Sequence, residues 1–338
     1  MTQIPVNAAG PANFQKDRGY KMNILVTAIG SLAADIVIKT LRKNHHGVIG
    51  CDIFPREWIV DAYNVDEFIQ APPAKAKDEY VSFIKRVCQQ FDVKFIMPLT
   101  DPEVDVMGEF KNELGAQGVC ACVSDHEVIK LCRDKFLLPQ YLGQQNICTA
   151  IPTYWLGEVD QIRGFPLLAK PRFGRSSQGI MEVRSEAEYG YVKEVARDGE
   201  YVIQPFIKGN FLTIDVIRNS DDTVVCIARR ELLRNPSGAG TTVEIIENPA
   251  LTEICSKIAR SLGIIGAVNF EFIETRDKLY FLEANPRFSG GVEFSHMAGY
   301  DVVSNHLKCF TNQLIDTEIK IKRMIVARKY QEYVTEVL

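Results

Sequence analysis

From Asn23 onward, short apolar runs alternate with amphipathic stretches of helical length. The expected strands are ILVTAI (24–29), GVIGCD (47–52), EFIQA (67–71), KFIMPL (94–99) and VCACVS (119–124). Helices are expected between them near 31–43, 78–90 and 102–114. Apolar runs separated by periodic helices signal βαβ units and a parallel sheet. The pattern predicts a doubly wound α/β unit over residues 22–125, behind a loose polar tail at 1–21.

Past Lys130 the texture changes to mostly antiparallel α+β. A helix near 134–143 leads to IPTYWL (151–156) and the strand PLLAK (166–170). The loop PRFGRSSQG (171–179), the strand IMEV (180–183) and a helix from near Ser185 to about Arg197 come next, with Glu188 in capping-box spacing. Strands follow at YVIQPFI (201–207), FLTIDVIR (211–218) and TVVCIARRE (223–231), the last two joined by the turn residues 219–222. Residues 234–242 read as a mobile loop, and 249–262 as an amphipathic helix stopped by Gly263. The strands GAVNFEFIE (266–274) and KLYFLEANP (278–286) make a hairpin.

At 338 residues the chain has room for two to three domains of about 150 residues each. Hydrophobic residues at 46% and charged ones at 24% exclude a disordered chain. The net charge of −4 argues against a nucleic-acid partner bound through a basic face. No apolar run approaches the ~18 residues a membrane span needs, so no membrane contact is expected. The first residues carry no apolar signal core. Nine cysteines without a CxxC pair or finger spacing fit reduced thiols in a cytoplasmic protein.

The turn Thr27–Ser31 stands where a dinucleotide-binding loop would, but it offers one glycine where that fingerprint needs three. A structural turn lining a substrate cleft is the better reading. The loop 172–179 holds two glycines, two serines and two arginines, donors enough to fold over an anion, and a flexible polar hairpin reads equally well. Asp101 and Glu103 follow a strand end, where Asp101 suits a helix N-cap and substrate contact is the alternative. His45 and His46 read as a solvated loop pair, and His296 as a helix-surface residue.

The hairpin 266–286 carries the strongest signal. Residues two apart on a strand share a face, so Glu283, Asn285 and Arg287 project together, as do Asn269 and Glu271. A three-residue turn places Glu271 opposite Glu283, where bare carboxylates repel. Two acids and an amide oxygen on a half-buried sheet suggest an oxygen-ligand Mg²⁺ site completed by substrate phosphates; a solvated acidic face is the alternative.

Six ordered marks then stand out: Asp134-Lys135, Ala169-Lys170-Pro171-Arg172-Phe173-Gly174, Gln204-Pro205-Phe206-Ile207, Ile214-Asp215-Val216, Asn269-Phe270-Glu271-Phe272 and Glu283-Ala284-Asn285-Pro286-Arg287. With them, residues 23–312 resemble the ATP-grasp superfamily, most closely its carbamoyl-phosphate-synthase-like, carboxylate–amine ligase branch. The resemblance implies an α/β and α+β chain with an N-terminal Rossmann-like domain (22–125). A linker helix and small lid (126–205), a C-terminal antiparallel-sheet domain (206–318) and an extension (319–338) would complete it. It implies that Lys135 and Lys170 meet the phosphates of ATP, with Gly174, Ser176, Ser177 and Gly179 in the loop closing over them. Gln204, Pro205, Phe206 and Ile207 would hold adenine, the backbone of Phe206 and Ile207 pairing with its edge, and Asp215 would join the nucleotide site. Glu271, Glu283 and Asn285 would hold Mg²⁺ (or Mn²⁺), and Arg287 would steady the γ-phosphate or a substrate carboxylate. Gln204 departs from the glutamate of many relatives. The implied activity is ATP-dependent ligation of small-molecule carboxylate and amine substrates, in an assembly that leaves room for a homodimer. Activation of bicarbonate or carbamate, and a non-catalytic ATP-binding subunit, are the rival readings.

Overall fold

A computed structural model describes residues 19–161, 164–175, 177–196 and 199–338. Most of the expected tail, Ser176 and the expected helix end at Arg197 therefore lie outside the described residues.

The N-terminal unit runs β1 (Asn23–Thr27), α1 (Ala34–Lys43), β2 (Gly47–Asp52), β3 (Glu67–Gln70), α2 (Lys77–Gln90), β4 (Val93–Met97), α3 (Asp101–Ala116) and β5 (Cys120–Ala121). Its strands form one parallel sheet in the order β3-β2-β1-β4-β5. Central β1 is buried on both faces, which is why it reads as an unbroken apolar run. Leu25 faces α2 and α3, whereas Ile24 and Val26 face α1.

Two helices follow, α4 (His126–Arg133) and α5 (Leu137–Gln144), then the short β6 (Thr149–Ala150) and β7 (Tyr154–Trp155). The sequence pattern predicts only the second of these, near 134–143, and misses α4. Cys132, Leu138 and Leu142 pack in the C-terminal core, so this linker lies on the C-terminal unit rather than on the lid. The lid comprises β8 (Leu167–Pro171), β9 (Met181–Val183), α6 (Glu186–Val195) and β10 (Tyr201–Pro205), an antiparallel sheet in the order β7-β10-β8-β9. Ser185 caps α6 by accepting the Glu188 N–H, as the capping-box spacing predicts.

The C-terminal unit adds β11 (Asn210–Arg218), β12 (Val224–Arg234), β13 (Gly240–Ile246), α7 (Pro249–Leu262), β14 (Gly266–Glu274), β15 (Leu279–Asn285), α8 (Val292–Met297), α9 (Val302–Lys308) and β16 (Ile325–Ala327). The sheet order is β16-β13-β12-β11-β14-β15-β6. It is antiparallel except at its edge, where β6 pairs parallel with β15. The expected mobile loop 234–242 is instead the turn of the β12–β13 hairpin, because Val243 and Ile245 bury one face of a regular strand. The expected C-terminal extension supplies β16, and Thr335 reaches the N-terminal unit, donating to the Glu57 carbonyl at 2.6 Å.

Strand alternation splits the large sheet into two faces. Leu212, Ile214, Val216, Phe270 and Phe272 pack under α7 on one face. On the other, Ile217, Val225, Ile227 and Ala267 join α1 and α9 in a core shared with the N-terminal unit. That shared face turns polar toward Glu271 and Glu283, where the site begins.

His306 lies at this joint. Its ring sits between Phe288 and Phe310, and its Nδ1 accepts the Ala267 N–H at 2.9 Å. A Cβ on Gly266, whose φ is 81°, would come within 2.6 Å of Nδ1, so glycine permits both the turn and the approach. Burial pushes the imidazole down to about 3. The unfolded chain takes up a proton near pH 6.5, the folded one only near 3, so stability present above pH 6.5 drains away as pH falls between these values. Between pH 7 and pH 4.5 the parent should lose roughly 3 kcal/mol more than His306→Gln does, from the two-unit span below the unfolded pKa. Urea unfolding of both proteins at the two pH values checks this, and equal losses would show that the imidazole is not buried as the neutral form.

Candidate active site

Two polar faces meet between the lid and the large sheet. In the lid, Leu167, Ala169 and Ile203 bury against α6. Alternation therefore turns Lys170 and Gln204, paired across β8 and β10 with Val202 and Leu168, to the opposite face. In the large sheet, Thr213 pairs with Glu271, Asp215 with Asn269, Glu271 with Glu283 and Asn269 with Asn285, all on one face. The Glu271–Glu283 pairing arises differently from the expectation. Glu274 pairs with Leu279, leaving a four-residue turn, and a bulge at Leu282 restores the register.

The charges of the two faces answer each other. Lys135 Nζ stands 3.7 Å from Glu283 Oε2 and donates to the Gly174 carbonyl at 2.7 Å. Lys170 is 8% exposed; burial, aided by Lys135, pulls it down to about 8 against the opposing pull of Glu283 and Glu271. Glu271 is pushed up to about 8 by burial and then by Glu283. Burial opposes ionisation of Glu283 too, but Lys135, the Asn285 amide and Lys170 outweigh it and hold that carboxyl below its ordinary range. One acid of the pair is thus ionised at neutral pH and the other mostly protonated.

Asn285 directs its Nδ2 to Asn269 Oδ1 at 2.9 Å and to Glu283 Oε1 at 3.2 Å. That leaves the Asn285 carbonyl oxygen as an acceptor beside two carboxylates, an all-oxygen donor set suited to Mg²⁺. Among the described residues no cluster of three or more His, Cys, Asp or Glu could hold a metal ion, so any ion here needs further oxygens from a substrate.

Other expected residues sit differently. Asp215, 4% exposed and on the same sheet face as Glu271, accepts from Arg229 Nη1 at 2.7 Å and Ser295 Oγ at 2.6 Å, so its carboxylate is already held in a buried ion pair. Phe206 cannot offer its N–H to an adenine edge, since that group donates to the Pro166 carbonyl at 3.0 Å. Its carbonyl and the Ile207 N–H remain, one acceptor and one donor. Gln204 Nε2 donates to Thr153 Oγ1 at 2.8 Å, while its buried Oε1 has no partner. In the lid loop, Arg172 is an anchor, ion-paired to Asp134 and lying over Trp155. Gly179 and Ser177 bend the loop at φ 71° and 56°.

Arg287 is held by Asp101 at 2.9 and 3.0 Å, a two-point grip across the domain boundary. Asp101 also pairs with Arg133 at 3.2 Å, and it lies inside α3, Thr100 being the N-cap. The expected capping role for Asp101 is thereby replaced by an ionic one. His46 is buried rather than solvated. Sequence reasoning missed Arg133 and also Arg234, whose Nη2 stands 3.4 Å from Glu271. Strict alternation would set Arg234 on the face of Arg230, and the register shifts between Glu231 and Arg234 bring it to Glu271 instead.

Comparisons with known proteins agree with this geometry. Residues 197–333 match a family model described as "ATP-grasp in the biosynthetic pathway with Ter operon". The carbamoyl phosphate synthase large chain of Clostridium perfringens is 28% identical over 153 residues, which is 41% of this chain and 14% of that relative. That of Methanoculleus marisnigri is 32% identical over 147 residues, 39% of this chain and again 14% of the relative. The match thus spans about one seventh of these relatives. Among solved structures, the biotin carboxylase–β,γ-ATP complex of Campylobacter jejuni superposes with a TM-score of 0.75 at 17% identity, covering 89% of this chain and 74% of that one. N5-carboxyaminoimidazole synthetase of Staphylococcus aureus, complexed with ADP, gives 0.72 at 17% identity, covering 92% and 83%. These matches converge: residues 197–333 match an ATP-grasp model, about two fifths of the chain is homologous to the carbamoyl phosphate synthase large chain, and the fold of nearly the whole chain is that of the two solved structures.

Proposed function

We propose that this chain is an ATP- and Mg²⁺-dependent ligase that activates a carboxylate as an acyl phosphate for attack by an amine. The observation that carries the reading is the opposition of Lys135 and Lys170 on one wall to Glu271 and Glu283 on the other. Phosphates need the first set and an oxygen-coordinated cation needs the second.

In this reading the nucleotide lies between the lid sheet and the large sheet, its adenine edge on the Phe206 carbonyl and the Ile207 N–H. Lys135 and Lys170 bind its phosphates, and the polyanion restores full charge to a Lys170 that burial has weakened. A bound Mg²⁺ (or Mn²⁺), held by Glu271, Glu283 and the Asn285 carbonyl oxygen, supplies charge neutralisation to phosphoryl oxygens. The substrate carboxylate attacks the γ-phosphorus, the bond to the β–γ bridging oxygen breaks, and ADP leaves. The amine then adds to the acyl carbon, phosphate departs, and the amine proton passes to solvent. The residues position and neutralise, which is most of what phosphoryl transfer asks of a protein. Ionisable acids at 271 and 283 weigh against a non-catalytic subunit.

Bicarbonate as the acid is the second reading, favoured by one structural neighbour, the biotin carboxylase domain dimer of Hydrogenobacter thermophilus 2-oxoglutarate carboxylase in complex with MgADP and bicarbonate. A homodimer is part of the proposal on the same support alone.

Mg-ATP should raise the melting temperature, with about 2.7 kcal/mol of stabilisation at a hundredfold excess over Kd, whereas NAD should leave it unchanged. An equal shift with NAD would count against the nucleotide site. In the lid loop, tryptic cleavage after exposed Arg175 should slow several-fold when Mg-ATP is added; cleavage at an unaltered rate would make the loop an ordinary hairpin. Glu283→Gln removes both the repulsion of Glu271 and the partner of Lys135. These offset, so stability should stay within about 1 kcal/mol of the parent. Phosphate release driven by a carboxylate should nevertheless fall at least about a hundredfold. Near-parent turnover in that variant would reduce the acids to a solvated face, and Glu271→Gln should be milder.

A further inference from the structure

A cavity of about 450 Å³ opens between the lid loop and the start of α3, walled by Pro102, Pro171 and Phe173. Its charged lining is two guanidiniums and one carboxylate, Arg133, Arg175 and Asp105, and Gln178 adds an amide. Arg133 is 8% exposed, and its Nε is buried without a hydrogen-bond partner, standing 3.5 Å from an Asp105 oxygen. A buried, unsatisfied guanidinium nitrogen at a cavity wall is a costly feature unless a ligand completes it. Exposed Arg175 contributes the cavity's uncommitted positive charge among the described residues.

We infer that this cavity is the acid subsite and takes an α-amino acid, its carboxylate on Arg133 and Arg175 and its ammonium on Asp105. The inference rests on the ligase reading. Three observations carry it. The cavity adjoins the phosphate site, because Gly174, Arg175 and Gly179 of the lid loop form one of its walls. A chain of ion pairs, Arg133 to Asp101 to Arg287, links it to the end of the strand that bears Glu283 and Asn285. The lining mixes both signs at close range, the pattern an α-amino acid presents, whereas a simple acid would meet the repulsion of Asp105. Burial pushes the Asp105 carboxyl up against the pull of Arg133, so it gains from a cationic ligand group that restores its charged form. The apolar walls leave room for a side chain, which bicarbonate does not have.

Hydroxylamine converts an acyl phosphate to a hydroxamate, so ADP and hydroxamate formation with Mg-ATP report acid activation directly. The proteinogenic α-amino acids, their α-hydroxy acid counterparts and bicarbonate form the panel. At least one amino acid should yield hydroxamate, and its α-hydroxy counterpart should show a KM about ten- to a hundredfold higher, the value of one charged hydrogen bond. Asp105→Asn, at a half-exposed position, should raise the amino-acid KM by the same factor, and should lower the α-hydroxy acid KM by relieving its repulsion. Arg175→Gln should raise KM for both acids. Equal KM values for the two acids in the parent, or an equal change for both in Asp105→Asn, would overturn the inference. So would Mg-ATP protection with no amino acid accepted, an outcome that leaves nucleotide binding standing. Absence of both nucleotide protection and ADP formation would instead bring down the ligase reading itself.

Discussion

Two carboxylates set directly across a sheet from one another are the constraint on which the cleft depends. Glu271 and Glu283 cannot both be charged cheaply at this spacing, and the protein resolves the conflict by asymmetry. Lys135 and Lys170 sit with Glu283 and keep it ionised, while Glu271 is left mostly protonated near neutral pH. Burial in turn weakens Lys170. Each group in the cleft is therefore held away from its ordinary charge by the others. On the proposed reading, a polyanion with a divalent cation would relieve all of them together, the phosphates recharging the lysine and the cation stabilising both carboxylates.

How much of this could be read from the chain alone depended on the range of the interactions. The β1 to α3 region and the helix over 249–262 were legible because their burial writes a period into the sequence, and the structure reproduces them to within a few residues. The residues at 135, 170, 271, 283 and 285 were singled out by a family resemblance, and the structure gathers them around one cleft. The ion pair of Asp215 was not legible, because its partner Arg229 lies fourteen residues off on the next strand with no local mark. The β12–β13 hairpin was missed because glycines and a proline at 236–240 resemble a loop, and the strand shows itself only through long-range pairing with β12 and β16. Likewise, the Glu271–Glu283 register followed from an assumed three-residue turn; the correct pairing came from a longer turn and a bulge whose errors cancel.

Asp101 is where the long-range interactions matter most. Its carboxylate sits at the C-terminal edge of the N-terminal sheet, where ligands of such sheets gather, yet it is spent on two guanidiniums from outside that sheet. Burial alone would raise its pKa, but Arg287 and Arg133 outweigh that and keep it ionised. Removing one member of so buried a group leaves an uncompensated charge, which costs about 3–5 kcal/mol, so the three side chains act as one rigid unit. This unit fixes Arg287 and Arg133 in place before any substrate arrives, and it decides how much positive charge they have left to give. Arg287 has both sides of its guanidinium engaged by Asp101 and the Phe288 carbonyl. An incoming anion can share it only weakly. In the proposed site, the charge left for an acid would then fall mainly to Arg175, with Arg133 shared between Asp101 and Asp105. On that proposal, the same pairs that join the domains would set the phosphate on the lysine side of the cleft and the acid on the arginine side, the separation a two-substrate phosphoryl transfer requires.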